Sequence, residues 1–512
     1  MSVFAIQHLP ILPIAIALLA AALTLVVGER RLAQQRAIVW VAIVLMLLCG
    51  ALAIQRTSSG EMFVYLLSNW RAPFGIALVV DKLSAIMLLL TAFIGAVVMA
   101  AQTRSDQPTG TYFYPLFMLQ LMGLNGAFLT ADLFNLFVFF EVLLAASYAM
   151  LLQHADRART NAATQYVVIN LLGSALFLIA AALLYGVTGT LNMADLSQKI
   201  NAVGPQSRAL VAAAGFLLLV VFAIKAALLP LNFWLTGTYR AATLPVAALF
   251  ALMTKVGVVA IARTVTLIYP EGGVINAHMS QALLVIAPLT MLVAACGALS
   301  ARDVSTLIGW SVVGSAGMLV TALAIGEHRA ISGALFYLIG STLATALLFL
   351  NAASLDQASA RVTIDTDAGG SRWAWTGALF LIGAAAMAGL PPFAGFIGKA
   401  TILAASTSHH AQTWVWTAVL LAGLLSILAY ARMGSRLFWK RDAALVDGVS
   451  RLPTAVLAIA LVGLTIFAAP LQRYTDQAAA ELKRPQIMIG NVLGKVPQQK
   501  SVAPLAAPGA NK

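Results

Sequence analysis

Apolar runs of roughly 20 residues, separated by short polar or Gly/Pro breaks, recur along the chain, and each is long enough for one helix across a hydrocarbon core about 30 Å thick. Fourteen runs are predicted, with cores at 9–27, 37–54, 76–101, 112–130, 133–152, 163–187, 209–230, 243–268, 276–299, 303–325, 329–351, 376–404, 413–435 and 452–470. The expected fold class is all-α and polytopic. Residues 112–268 and 276–438 each hold five runs, and in each group the fourth has a proline near an interior lysine. Lys225 precedes Pro230, and Lys399 follows Pro391 and Pro392. An odd number of spans turns the second unit upside down, so two inverted five-helix repeats with broken helices are expected. Residues 1–111 then hold N-terminal helices and 452–470 the last span. The basic, Pro- and Ala-containing segment 471–512 is expected to be a disordered tail.

Composition excludes a soluble globule: 61% of residues are hydrophobic, 10% are charged, and the mean hydropathy is +0.91. A net charge of +13 would suggest nucleic acid in a soluble protein, but most Lys and Arg fall in short loops between apolar runs. With the N-terminus outside, inner loops carry about fourteen of them and outer loops about five, tail excluded, which fits the positive-inside rule. Both termini are therefore expected on the outer side. The opening MSVFAIQHLP lacks a basic leader region and is expected to lead into a retained helix. Cys49 and Cys296 lie inside apolar runs with no paired spacing, so no disulfide framework, metal or iron–sulfur site is expected, and no cofactor.

Four charges interrupt the apolar runs: Glu141, Lys225, Lys255 and Lys399. Facing lipid, each would cost about 2.5–3.5 kcal/mol, so they are expected to face protein or water and to mark an ion or proton path. Glu141 lies about 13.5 Å along its helix from Asp132, near mid-depth, whereas Asp132 reads as a helix cap. Glu141 is either a relay group or half of a structural ion pair with a lysine. Lysine suits a relay because, unlike arginine, it can release its proton when buried and regain it beside a carboxylate. The prolines should free carbonyls at Ala226, Met387 and Ala388, which are tolerated in a membrane where they line a cavity or meet another helix.

Other residues read as structural. Asp81 and Lys82 read as an interfacial pair, Asp303 as a cap, and His409 with His410 as a surface pair rather than a metal site. GFIGKA lacks a phosphate loop's pattern, with Phe393 where glycine is needed and Ala400 where a hydroxyl is needed. Gly309, Gly314 and Gly317 read as close helix packing.

Five segments carry a family resemblance: DLFNLFVFFEVLLAASY around Glu141, YGVTGTLNMADL at 185–196, KAALLPLNFWL at 225–235, PVAALFALMTKVGVVAIAR at 245–263 and MAGLPPFAGFIGKATIL at 387–403. In these the chain resembles the antiporter-like subunits shared by Mrp-type multisubunit cation/proton antiporters and respiratory complex I. FNLFVFFEVLL, GTLNMADL and ARMGSRLFWKR look most like the D subunit of the Mrp antiporters. The resemblance implies fourteen transmembrane helices, a proton path through Glu141, Lys225, Lys255 and Lys399, and a complex with other membrane subunits. The implied function is proton conduction in a sodium or other monovalent cation/proton antiporter of a bacterial plasma membrane. The alternative is a proton-pumping membrane subunit of a quinone-reducing complex or related membrane hydrogenase.

Several positions depart from the family's pattern. Tyr239 stands where many relatives have a His, Thr236 replaces a proline, and Ser305 replaces a lysine. Gly340, Ser341 and Thr345 stand where relatives often carry a His and a Lys. Lys399 is then the one interior titratable relay group expected in the second unit, with hydroxyls such as Thr345 and water bridging the rest, or protons leaving by another subunit.

Overall fold

The structure is a computed structural model that describes residues 7–103, 110–153, 157–353, 355–356, 370–439, 444–445 and 451–494. It opens with α1 (Leu12–Val27), α2 (Leu32–Ser58) and α3 (Lys82–Thr103). Between α2 and α3, strands β1 (Phe63–Leu66) and β2 (Ala77–Val80) pair antiparallel, Phe63 opposite Val80. The run at 76–101, expected to be helical throughout, thus begins as a strand. The helix starts only where the Asp81 carboxylate accepts the Ser84 amide at 2.9 Å.

The region expected to form the first unit contains α4 (Phe113–Leu129), α5 (Leu133–Leu152), α6 (Arg157–Thr188), α7 (Met193–Ala202), α8 (Pro205–Ala226), α9 (Phe233–Ala241), α10 (Leu244–Phe250) and α11 (Met253–Arg263). A π-helical turn, Thr264–Ile268, extends α11. The second contains α12 (Val274–Ser300), α13 (Val304–Ile325), α14 (His328–Ala352), α15 (Gly370–Ala388), α16 (Ala394–Ala405) and α17 (Gln412–Gly434). The chain then forms α18 (Leu452–Ile466), α19 (Ala468–Leu482) and α20 (Pro485–Leu493). Strands β3 (Leu355–Asp356) and β4 (Ala444–Leu445) pair antiparallel.

Among the described residues ten helices are long and apolar enough to cross a membrane, or eleven if α18 and α19, bent by 79°, form one broken span. Leu12–Val27, Phe113–Leu129 and Trp375–Ala388 are shorter apolar helices. α14 is enclosed on all sides, whereas α2 and α17 expose Leu45, Leu48, Leu420 and Leu424. Such apolar faces at the periphery suit lipid, and α14 marks the bundle's centre.

The segment from 471 is not a disordered tail as far as residue 494, and this corrects the expectation from composition. Thr475, Ala478, Ala479 and Leu482 recur at helical spacing and are buried on one face of α19. Glu481 accepts from the ammonium and the amide of Lys82, and Tyr474 bonds Thr57 Oγ1 at 2.6 Å. Lys483 Nζ donates to Gly326 O at 2.7 Å and pairs with Glu271 at 2.9 Å. Residues 495–512 of the expected tail lie outside the described residues.

Candidate functional site

Asp132 caps α5, its carboxylate accepting the Asn135 amide at 2.9 Å, and so sets the helix that carries Glu141 inward. The Glu141 carboxylate accepts a hydrogen bond from the Ser174 hydroxyl of α6. One turn earlier on α6, Asn170 Oδ1 accepts from Lys225 Nζ at 3.2 Å, and Lys225 Nζ sits 5.5 Å above the Phe140 ring. Asn170 Nδ2 donates to Tyr166 O at 2.9 Å, which turns the amide oxygen toward the lysine. Among the described residues no ion pair joins Glu141 to a lysine. A simple structural ion pair is therefore not what holds Glu141.

α8 stops one residue after Lys225 because Ala227 turns left-handed (φ 55°) and Pro230 follows. The Trp234 indole donates to Ile224 O at 3.0 Å, and the Leu229 amide donates to Thr290 Oγ1 of α12 at 2.9 Å. The break is thus satisfied by α9 and by α12. α11 lies directly against it: a Cβ on Gly257 would sit 2.5 Å from Ala226 N and 2.8 Å from the Lys225 carbonyl carbon. Only glycine allows that approach, which brings the turn bearing Lys255 to the turn bearing Lys225.

Lys255 is fully buried, and its Nζ donates to Ser315 Oγ of α13 at 2.9 Å. Just before it the chain tightens from α10 into α11 through short-range bonds, Ala251 N to Ala248 O and Leu252 N to Leu249 O. Tightening leaves the Phe250 carbonyl without its usual helical donor, and the Tyr239 hydroxyl donates to it at 2.5 Å. Tyr239 therefore braces the turn beside Lys255.

In the second unit Pro391 and Pro392 separate α15 from α16, and Lys399 Nζ donates to Ala388 O at 2.9 Å and Met387 O at 3.3 Å. These are the carbonyls the prolines were expected to leave free. Gly389 makes the contact possible: its φ is +83°, and a Cβ there would lie 2.7 Å from Lys399 Cδ. A cavity of about 40 Å³ joins Lys399 to Tyr337, Ser311, Ser315, Ser426 and Tyr430, with space for two or three waters. Ser315 thus faces both the Lys255 amine and the space beside Lys399, and Ser311 bonds the Tyr430 hydroxyl at 2.8 Å.

The hydroxyls expected to bridge this half do something else. Ser341 donates to Leu338 O at 3.2 Å and Thr345 to Ser341 O at 2.8 Å, both within α14. Thr345 also contacts the Met387 sulfur at 3.7 Å. The hydroxyls that line the cavity beside Lys399 are instead Tyr337 of α14, Ser311 and Ser315 of α13, and Ser426 and Tyr430 of α17.

Asp81 and Lys82 are not a pair with each other. Asp81 is held by the buried Arg263 guanidinium through two bonds of 2.7 and 2.9 Å, whereas Lys82 pairs with Glu481. Adjacent side chains at a helix start diverge, so each found a partner on a different element. Asp303 does cap, accepting the Thr306 amide at 2.8 Å, and it pairs with Arg240 at 3.3 Å. The rings of His409 and His410 lie 4.1 Å apart, and among the described residues no third ligand-type side chain joins them.

Sequence reasoning passed over Asn170, Ser174, Ser315 and Arg263. Asn170 and Ser174 were detectable as two polar residues four apart in an apolar run. Ser315 lies among small residues that read as packing, and Arg263 closes its run like an ordinary helix-end arginine.

Chemically, the site holds titratable groups on α5, α8, α11 and α16, with Ser174 and Asn170 between Glu141 and Lys225 and Ser315 beside Lys255. A helical bundle with many membrane spans and such an interior defines a polytopic membrane transporter class. Residues 130–426 match the family described as NADH:quinone oxidoreductase/Mrp antiporter, TM, and the chain belongs to that family. The D subunit of a probable K(+)/H(+) antiporter of Rhizobium meliloti is 37% identical over 94% of this chain and 96% of its own. The D subunit of the Na(+)/H(+) antiporter of Alkalihalophilus pseudofirmus is also 37% identical, over 95% of this chain and 99% of its own. Among solved structures, a chain of the Mrp complex from Dietzia sp. matches with a TM-score of 0.83 at 25% identity, covering 95% of this chain and 99% of that one. A chain of respiratory complex I from Thermus thermophilus shares the fold, with a TM-score of 0.76 at 24% identity over 95% of this chain and 99% of that one.

Proposed function

We propose that this chain is the proton-conducting subunit of a multisubunit monovalent cation/proton antiporter in a bacterial plasma membrane. It is a transporter subunit that works with other membrane subunits. Protons pass by water-assisted hops along Glu141, Lys225, Lys255 and Lys399, and moving one charge alters its neighbours through a poorly screened interior. The fold that carries this has fourteen spans: N-terminal helices in 1–111, inverted five-helix units at 112–268 and 276–438, and a last span at 452–470. The N-terminus lies on the outer side, and α19 and α20 pack at that face.

The observation that carries the reading is Ser315, which accepts from the Lys255 amine and lines the cavity that reaches Lys399. It supports one continuous path through both units. A pumping subunit of a quinone-reducing complex would share the fold, but 37% identity to antiporter D subunits favours the antiporter. The test assembles the full complex in everted vesicles and follows cation-induced pH change. Glu141→Ala and Lys225→Ala are expected to abolish it, and wild-type activity in either variant would sink the assignment.

A further inference from the structure

The Ser174 hydroxyl has two acceptors within reach but one hydrogen. It lies against the Glu141 carboxylate and 3.0 Å from the backbone oxygen of Asn170. A hydroxyl donates once and accepts through its lone pairs, so it cannot serve both at the same time. Which acceptor wins depends on the charge of Glu141. An ionised carboxylate only accepts, and draws the hydrogen to itself. A protonated carboxyl donates to Ser174 Oγ, which frees the serine hydrogen for the Asn170 carbonyl.

Asn170 links this choice to the lysine. Its side chain is fully buried, its Nδ2 is tied to Tyr166 O, and its Oδ1 accepts from Lys225 Nζ. The ammonium therefore rests on a neutral oxygen instead of on Glu141. A direct ion pair in a dry interior would hold both charges too firmly to turn over. The titratable groups that face Glu141 are Tyr148 on its own helix and Lys225 on α8. α4 carries no charged residue, and α6 carries charge only at Arg157 and Arg159 in its first turn.

We propose that Ser174 and Asn170 form a hydroxyl–amide coupler between Glu141 and Lys225, in which the serine hydrogen alternates between the carboxylate and the Asn170 carbonyl as Glu141 loses and gains its proton. Both are positioning residues. The rotation breaks no covalent bond. The proton that Glu141 gains comes from relay water, and the same proton leaves when the carboxylate re-forms. The coupler rests on the relay proposed above.

The experiment measures cation-induced pH change against pH for the assembled complex in everted vesicles, with complex content checked by immunoblot. Ser174→Ala removes a bond to a charged group and is expected to lower the rate about tenfold at neutral pH. It also moves the acid limb of the profile to higher pH, because ionised Glu141 has lost its donor. Ser174→Thr restores both. Asn170→Leu lowers the rate by a similar factor, and Asn170→Asp, which places a carboxylate on Lys225, lowers it further. If the alanine variant fails to assemble, Ser174→Cys keeps the volume with a weak donor and gives the same readout. A wild-type rate and profile in Ser174→Ala or in Ser174→Cys, with Glu141→Ala inactive, overturns the coupler and leaves the relay standing. Wild-type activity in Glu141→Ala means that the relay itself has failed.

Discussion

Lys225 and Lys399 both sit beside proline-broken helices, yet the groups that receive their amines differ in kind. Lys225 donates to a side chain, Asn170, with Ser174 and Glu141 one turn away. Lys399 donates to the backbone carbonyls of the break itself, with a mostly apolar cavity beyond it into which a few hydroxyls reach. The first half thus opposes its lysine with a carboxylate. The second half offers only neutral oxygens. A charge held by dipoles alone can be neutralised only by losing its proton or by solvent, so in the proposed relay water in the cavity would carry near Lys399 the task given to Glu141 near Lys225. Lys255 stands between the two, packed on the first break through Gly257 and bonded to the second unit through Ser315.

Relay charges and structural charges should respond differently to removal. Asp81→Ala leaves Arg263 buried without its partner and is expected to cost about 3–5 kcal/mol. Thermal unfolding of the detergent-purified complex should show a clear loss of stability, whereas Glu141→Gln should unfold near the wild-type temperature. Equal losses in both would mean that Glu141 belongs to the framework. Lys399→Arg keeps the charge but does not release its proton, so transport should fall by about 100-fold with the complex intact. Retained transport would show that the second half needs only a fixed positive charge. Ser315→Ala removes the Lys255 acceptor and one wall of the cavity, and a drop of about tenfold is expected. Restoration by Ser315→Thr would place the effect in the hydroxyl.

Much of this was legible in the residues. The apolar runs marked the helices, and the four charges within them could be found because hydrocarbon tolerates so few, although only Lys225 and Lys255 are buried and Glu141 and Lys399 are half-buried. The proline rule named Met387 and Ala388, and the Lys399 amine lies on their carbonyls. What could not be read was pairing across the bundle. Asp81 and Lys82 are neighbours in the chain with partners at Arg263 and Glu481, which no local pattern reveals. Asn170, Ser174 and Ser315 are ordinary polar residues until the packing of α5, α6, α8, α11 and α13 sets them between charges. Composition misled at 471–494, where basic residues hid the buried face of α19 formed by Thr475, Ala478, Ala479 and Leu482.

In the proposed relay one path crosses both units, and Lys255 is its joint. Lys255→Met keeps the length and apolar stem of the side chain and removes the titratable amine. In everted vesicles containing the fully assembled complex, cation-induced pH change should fall to the level of vesicles lacking the complex. Wild-type exchange in that variant would contradict a continuous relay through Lys255.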